Sequence, residues 1–316
     1  MKISNLKENP HLIQETLTLI EASFEYDKKH SFYKDFYPLI KESNHEHCYI
    51  LIQDNRVLGH LGVLKGHLQI EKKYSFAMFG GIAVDKNYRG MGLFKKLFQQ
   101  VLPLYQDNAF LLLWSDQINL YSPFGFYPCG ELKQYKQSHQ AHSYTQKKFS
   151  QLSQDEKDTI SSLYHSTNEL RPTRTAVDWE TLFTMDTVDL YLKVEKNKIK
   201  NYFLKNKGQD LTDIIHEYGE ISSELIQAGT LWTPEKLNAS YVTLNAFQLK
   251  PGSYFKHFIE DYADISIKSI GKQTVFEFNG ESYELATEDF LQGVFGPGRF
   301  DELDLPYLYI PGATSI

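Results

Sequence analysis

The stretch from residue 74 to residue 102 limits what this chain can fold into more than any other segment. Tyr74–Val84 is apolar along nearly its whole length, which predicts a central, buried β-strand. A polar break and the turn Arg89-Gly90-Met91-Gly92 follow, and residues 93–102 then place apolar side chains on one helical face. Strand, glycine turn and helix in succession predict an anion site, because the first N–H groups of a helix lack intrahelical partners and carry partial positive charge.

The glycines in and before this turn suit close contact between backbone and ligand. Gly90 and Gly92 allow positive φ and let a diphosphate approach the main chain, and Arg89 can add a charge-assisted contact. Gly80-Gly81 predicts a bulge in the preceding strand, which would free the backbone groups of residues 82–84. A tight strand-to-helix turn that binds no ligand is the alternative interpretation.

The rest of the first half alternates helical and strand patterns. Apolar spacing predicts helices over residues 10–24 and 31–41, then an antiparallel hairpin of strands 48–52 and 57–64. Phe110–Trp114 predicts a second buried strand. Ser115-Asp116 can cap a short helix before Tyr121-Ser122-Pro123-Phe124-Gly125-Phe126.

The second half repeats this order without the glycines. A helix is predicted near residues 155–164, with strands at 188–194, 199–204 and 211–218, so we infer a degenerate internal duplication without a second cofactor site. Near the end, Asn279-Gly280 predicts the turn of a 274–285 hairpin. The apolar residues 305–316 are expected to pack against the body of the protein.

The glycine turn and the Tyr121–Phe126 segment together closely resemble the GNAT superfamily of N-acetyltransferases. The family's last small position is Phe94 here, a departure that concerns one backbone-to-phosphate contact. Within the superfamily, Ser115-Asp116 and the Tyr-x-x-Phe-Gly-aromatic ending look most like tandem-GNAT proteins of the enhanced intracellular survival type. Segment 290–296 is weakly similar to the final domain of those proteins.

The resemblance implies a mixed α/β (α+β) architecture. A GNAT domain, with a central, mostly antiparallel mixed sheet flanked by helices, is expected over residues 1–145. A degenerate GNAT-like domain over 146–235 and a small C-terminal α+β region over 236–316 would follow. The implied cosubstrate is acetyl-CoA, and the residues expected to bind it are Ile82, Ala83, Val84, Arg89, Gly90, Met91, Gly92, Leu93 and Ser115.

Two catalytic residues are expected, Tyr121 and Ile316. Tyr121 can donate a proton to the leaving thiolate, as the resemblance implies, and a packed core tyrosine is the alternative. A backbone N–H at Ile82 or Val84 would stabilise the oxyanion. The strand 74–84 carries no carboxylate, and the resemblance implies that the C-terminal carboxylate of Ile316 enters the site instead. A surface terminus is the alternative, with His60 and Asp116 as further candidates for the base.

Composition narrows the class of partner. The net charge of −7 argues against nucleic acid, and no apolar run is long enough for a transmembrane helix. With two cysteines and no signal-like N-terminus, we expect a cytoplasmic protein without disulfides. His45 and His47 could share a strand face, but two ligands make no metal site, so we expect no metal. The oligomeric state stays open.

Three further sequence hypotheses follow. Arg171 and Arg174 are expected to be solvated, with anion binding as the alternative. The early aromatic residues between 24 and 37 are expected to be mainly core, with an acceptor pocket as the alternative. The predicted activity is transfer of an acetyl group to a primary amine of a small molecule or peptide, by direct attack in a ternary complex. The alternatives are a catalytically silent acyl-CoA-binding module and a transferase of longer acyl groups.

Overall fold

A computed structural model describes residues 1–136, 143–300 and 302–315. The strands in these ranges are β1 Lys2–Asn5, β2 Cys48–Gln53, β3 Arg56–Gln69, β4 Lys73–Val84, β5 Phe110–Leu113, β6 Tyr127–Tyr135, β7 Thr145–Lys147, β8 Asp189–Glu195, β9 Lys198–Lys205, β10 Ile214–Tyr218, β11 Thr230–Thr233, β12 Tyr241–Pro251, β13 Ser266–Ile270, β14 Gln273–Phe278 and β15 Glu281–Ala286. The α-helices are α1 Ile13–Ser23, α2 Phe32–Asp35, α3 Tyr37–Ile40, α4 Leu93–Val101, α5 Ile118–Tyr121, α6 Gln154–His165, α7 Ala176–Phe183, α8 Ser223–Gln227, α9 Phe255–Ala263 and α10 Thr287–Phe295. Short 3₁₀ turns lie at Pro10–Leu12, Glu42–His47, Lys86–Tyr88, Leu102–Tyr105, Ser122–Phe124 and Phe149–Gln151.

Local chemistry explains the elements that the sequence predicts. The β2–β3 hairpin turns at Asp54 and Asn55, both at positive φ, as a two-residue loop between twisted strands favours. The β14–β15 hairpin turns in the same way at Asn279-Gly280, as predicted. Helix α4 buries Leu97, Phe98 and Val101, the face that its apolar spacing indicates.

One sheet runs through the described residues in the order β1-β2-β3-β4-β5-β12-β6-β11-β10-β9-β8-β7. Strands β1 to β4 pair antiparallel and β4–β5 is parallel. Strands β7 to β10 likewise pair antiparallel and β10–β11 is parallel. The two halves therefore share one strand order, which supports the predicted duplication.

The two halves exchange their sixth strands at the centre of this sheet. Strand β6, from the first half, pairs with β11 of the second half, and β12, from the last third of the chain, pairs with β5 of the first half. Strands β6 and β12 also pair with each other antiparallel. The predicted division at residues 145 and 235 stays a prediction, and β12, which it assigns to the C-terminal region, lies inside the main sheet.

The C-terminal quarter adds a small α+β layer. Strands β13, β14 and β15 form a separate antiparallel sheet beside α9 and α10. Leu308, Tyr309, Ile310 and Ala313 are buried, so the prediction that the end of the chain packs against the body is confirmed. None of the helices in the described ranges is long and apolar enough to cross a membrane.

Three local predictions are wrong in their details. The predicted helix over 31–41 is two short helices, because Phe36 is not helical and Pro38 lacks the N–H that a continuous helix needs. His45 and His47 lie on a 3₁₀ turn rather than a strand, and no group of three possible metal ligands occurs among the described residues. Strand β10 begins at Ile214, because the preceding Asp213 has positive φ in a turn.

Candidate active site

Strands β4 and β5 separate at the point where the sequence places its glycine pair. Their parallel pairing runs from Phe76 opposite Phe110 to Phe79 opposite Leu113 and goes no further along the described strands. Directly afterwards Gly81 has φ of +58°, and the register of β4 against β3 shifts, as in a β-bulge. The edge of residues 80–84 that faces β5 is therefore available to a ligand lying in the gap.

The glycine turn lies between this gap and helix α4. Gly90 has φ of +79° and Gly92 has φ of +74°, so both occupy the left-handed region that favours glycine. A Cβ at either position would have no atom of the described chain within 4 Å, so the turn presents open backbone. Leu93 begins the helix and buries its side chain, which leaves its N–H as the group that can face a ligand.

A cavity of about 890 Å³ opens in the gap. Six predicted site residues line it: Ile82, Ala83, Val84, Arg89, Ser115 and Tyr121. The other described ones, Gly90, Met91, Gly92 and Leu93, are not among its lining residues and form the turn that follows Arg89. Arg89 itself donates from Nε to the Val84 carbonyl at 3.2 Å, which connects the turn to the end of β4.

Tyr121 ends helix α5 and is buried beside the cavity. Its ring centroid lies 5.6 Å from that of Phe94 and 5.6 Å from that of Phe98. Burial raises the pKa of Tyr121 to about 12, and the neighbouring Ser115 hydroxyl opposes this shift. Tyr121 therefore carries its proton at neutral pH. Phe94, which departs from the family's small residue, forms part of the wall around it.

The residues that the sequence offers as the general base differ in their position relative to the cavity. Ile316 lies outside the described residues, but Gly312 and Ser315, just before it, line the cavity. Asp116 also lines the cavity. His60 is fully buried and bonds the Gly81 carbonyl at 2.7 Å instead, and burial lowers its pKa to about 4.

The opposite wall comes from the second half of the chain, which the sequence reasoning missed. Asp210, Leu211, His216 and Trp232 line the cavity from this side, together with Tyr309 and Ile310 near the C-terminus. All of them lie far beyond Tyr121 along the chain, so spacing in the sequence gives no sign of their approach. The apolar C-terminal segment was the one signal that this region is packed inside the molecule.

Lys207 holds the last described turn in place. Its fully buried ammonium donates to the Gly312 carbonyl at 2.8 Å and to the Ser315 carbonyl, and it lies 4.5 Å from the centroid of the Phe36 ring. Burial lowers the pKa of Lys207 to about 7, and the charges of Asp210 and Asp35 oppose that shift. The turn is thereby fixed beside Phe36, which lines the cavity.

The prediction that Arg171 and Arg174 are solvated is wrong. Arg171 forms a buried ion pair with Glu169 at 2.8 Å, and Arg174 pairs with buried Glu217 through both carboxylate oxygens. Arg174 also donates to the Thr314 hydroxyl at 2.8 Å. Both arginines therefore form buried ion pairs within the second half, and Arg174 also contacts the C-terminal segment. Removing one partner of such a pair would leave an uncompensated buried charge.

Known proteins were compared with this chain by sequence and by fold. Residues 5–129 match the family model described as an acetyltransferase (GNAT) domain. A search of curated proteins found no match. Among solved structures, Eis1 from Mycobacterium abscessus is similar over 100% of both chains, with a TM-score of 0.62 and 10% identity.

Two further structures share the fold. A GCN5-related N-acetyltransferase from Anabaena variabilis aligns with 90% of this chain and 85% of its own, at a TM-score of 0.59 and 15% identity. A probable N-acyltransferase from Enterococcus faecalis covers the same shares, with a TM-score of 0.59 and 13% identity. Residues 5–129 thus match a GNAT acetyltransferase domain, and the chain shares its fold with these solved structures.

Proposed function

We propose that the protein transfers an acetyl group from acetyl-CoA to a primary amine of a small molecule or peptide. The observation that carries the proposal is the position of Tyr121 at the same cavity as the open edge of β4. One side of that cavity can hold a thioester, and the other side can admit an amine. The proposal includes a cytoplasmic location, with Cys48 and Cys129 buried as free thiols.

The chain has groups that fit three parts of acetyl-CoA: the diphosphate, the pantetheine arm and the thioester carbonyl. The turn at Gly90 and Gly92 and the first N–H groups of α4 would hold the diphosphate. The open edge of residues 82–84 would hydrogen-bond the pantetheine arm as a missing strand would. An N–H at Ile82 or Val84 would stabilise the oxyanion that forms on the thioester carbonyl.

Acyl transfer requires two proton movements that the site can serve. The amine nitrogen attacks the carbonyl carbon, the C–S bond breaks, and the sulfur takes a proton from the Tyr121 hydroxyl. The attacking nitrogen must lose a proton, and the base we propose for that is the C-terminal carboxylate of Ile316, since the turn before it lines the cavity. Direct attack in a ternary complex is proposed, with no acyl-enzyme.

The first test is equilibrium binding of acetyl-CoA by isothermal titration calorimetry. We expect a dissociation constant in the micromolar range or below, and a Gly92→Val variant that binds at least tenfold more weakly. Absence of measurable affinity for any CoA thioester would overturn the proposal. Turnover with acetyl-, succinyl- and myristoyl-CoA then determines the acyl group, and binding without turnover on any amine would favour the silent acyl-CoA-binding module.

A further inference from the structure

The cavity has a strongly aromatic lining. Phe24, Tyr26, Phe32 and Phe36 line it from the first half of the chain, and Trp232 and Ile310 line it from the opposite side. We call these six residues the acceptor arm. The Phe32 ring stacks on that of Phe36 with centroids 4.9 Å apart, and the Phe24 ring lies 6.4 Å from that of Phe32.

Phe24 gives this aromatic arm an exposed edge. Its side chain is 42% exposed, whereas Phe32 is 3% exposed and Phe36 is 8% exposed. Core packing thus accounts for Phe32 and Phe36, but it leaves a large part of the Phe24 ring in water. An apolar ligand entering the arm would cover that ring and gain burial free energy.

Charged groups are sparse along the cavity. Of the lining residues in the described part of the chain, Asp116 and Asp210 are acidic, and Arg89 is the one lysine or arginine. Asp116 follows β5 beside Ser115, on the side proposed for the thioester. Asp210 therefore supplies the carboxylate for the acceptor arm, and its side chain is accessible to a ligand.

His216 supplies a second polar group at this wall. Its Nε2 donates to the Asn206 carbonyl at 2.8 Å, so Nδ1 is the acceptor nitrogen, and burial lowers the pKa of His216 to about 4. Nδ1 is buried and has no hydrogen-bond partner among the described residues. His216 is therefore neutral at physiological pH and brings no positive charge to this wall of the cavity.

We propose that the acceptor is an amine with a single cationic head and an apolar body, aromatic or alkyl. Its head pairs with Asp210 and its body lies against the rings of the acceptor arm. A polycation is disfavoured, because beyond Asp210 and the Ile316 carboxylate proposed as the base, no described carboxylate of the acceptor arm could pair with its further charges. This inference rests on the proposed function and specifies its substrate class.

The direct test is a comparison of four amines at saturating acetyl-CoA. We expect kcat/KM for 2-phenylethylamine and n-hexylamine to exceed that for spermine and glucosamine by at least tenfold. Equal values, or a preference for spermine or glucosamine, would overturn the inference while leaving acetyl transfer intact. Loss of acetyl-CoA binding itself would overturn the proposed function instead, so the two failures are distinguishable.

Matched variants test the two parts of the arm. Asp210→Asn should raise KM for 2-phenylethylamine about tenfold with the Kd of acetyl-CoA unchanged, whereas Asp213→Asn, at an exposed carboxylate paired with Lys205, should leave both unchanged.

Phe24→Ser should reduce the preference for 2-phenylethylamine over glucosamine at least threefold. Tyr33→Ser is its control, because Tyr33 is 43% exposed and does not line the cavity. An unchanged KM in Asp210→Asn, or an unchanged preference in Phe24→Ser, would contradict the inference.

Binding without turnover gives an independent measurement. The chain has three tryptophans, and Trp114 and Trp232 line the cavity on its two sides. With CoA bound, n-hexylamine should change the fluorescence of wild type and of Trp114→Phe, and the change should be lost in Trp232→Phe. A fluorescence change that survives Trp232→Phe, or no saturable change in wild type, would place the amine elsewhere and overturn the inference.

Discussion

The hydroxyl of Tyr121 is the group on which the proposed proton transfer depends. Since burial raises its pKa to about 12, it is protonated through the physiological range and can act as an acid there. We predict that Tyr121→Phe lowers kcat by about a hundredfold or more, the usual contribution of a positioned acid, and leaves the Kd of acetyl-CoA within twofold. Steady-state kinetics and calorimetry check the two parts of this prediction.

A second tyrosine provides a control that distinguishes a catalytic role of the Tyr121 hydroxyl from a packing role. Tyr127 begins β6 and does not line the cavity, so Tyr127→Phe removes a hydroxyl of the same kind away from the proposed chemistry. Its kcat should remain near that of wild type. Full activity in Tyr121→Phe would instead mean that the residue is a packed core tyrosine and that the general-acid assignment is wrong.

His60 and His216 should make the free energy of unfolding depend on pH. Burial lowers the pKa of each to about 4, so both are neutral when folded but gain protons when unfolded below their ordinary pKa of about 6.5. Their contribution to stability is therefore fully present above pH 6.5 and declines as the pH falls from 6.5 toward 4. By pH 5.5 we expect each histidine to have lost on the order of 1 kcal/mol of this contribution.

Urea unfolding at pH 7.5 and 5.5 measures this loss. The free energy of unfolding should fall in wild type, and the fall should be on the order of 1 kcal/mol smaller in His60→Gln, because one of these buried protonation sites is then gone. His11→Gln, at an exposed position, is the control and should behave as wild type. An identical fall in His60→Gln and wild type would show that His60 does not contribute.

At the scale of elements, the turn before α4 should bind through its backbone conformation. Gly92 has φ of +74° and no described atom lies within 4 Å of its Cβ position, so a side chain there costs conformational energy and obstructs only a ligand. We predict that Gly92→Val weakens acetyl-CoA binding at least tenfold while destabilising the fold by about 1–2 kcal/mol. Calorimetry and urea unfolding on one preparation provide both values.

The β14–β15 hairpin offers an unusually close control for that substitution. Gly280 has φ of +80° and, like Gly92, has no described atom within 4 Å of its Cβ position. Gly280 is not among the lining residues of the cavity, so Gly280→Val should impose the same backbone strain and leave the Kd of acetyl-CoA unchanged. If both variants weakened binding equally, the effect would be one of general stability and not of the turn.

Local sequence pattern predicts some of the elements and not others. Strand β4, the turn at Gly90 and Gly92 and the hairpin at Asn279-Gly280 were all predictable, because each depends on conformational preferences of adjacent residues. The division of 31–41 into two helices was missed, although Pro38 is a signal that such a helix cannot be continuous. Helix α7 and the third strand of the small sheet, β13, have weaker patterns and were not predicted.

Local pattern does not predict which distant elements pair with each other. Nothing in Tyr127–Tyr135 distinguishes β11 from β5 as its partner, yet the exchange of β6 and β12 decides the whole sheet. The same holds for the wall that Asp210, His216 and Trp232 contribute to the cavity, since cavity walls follow from the assembled sheet. The strand and glycine turn proposed for the cofactor were therefore predictable from the sequence, and the wall proposed for the acceptor was not.

At the scale of the whole molecule, the second half holds the C-terminal segment against the first half's cavity. The Tyr309 N–H donates to the Leu170 carbonyl at 3.0 Å, and the Tyr309 hydroxyl donates to the His216 carbonyl at 2.6 Å. Arg174 and Lys207 then bind the turn that follows. Because Ser315 already lines the cavity, we expect residues added after Ile316 to disturb this turn or the cavity beside it.

Adding a short Gly-Ser extension after Ile316 should therefore depress kcat/KM for the amine by at least tenfold, with the Kd of acetyl-CoA little changed. Deleting Ile316 should also depress kcat/KM, because the new terminal carboxylate would sit one residue further back along the turn. The same extension before Met1, which is 49% exposed, is the control and should have no effect. Since the two extensions differ only in the end they occupy, a fully active C-terminally extended enzyme would remove the Ile316 carboxylate from the mechanism and leave the base to another group at the cavity, with Asp116 the first to test.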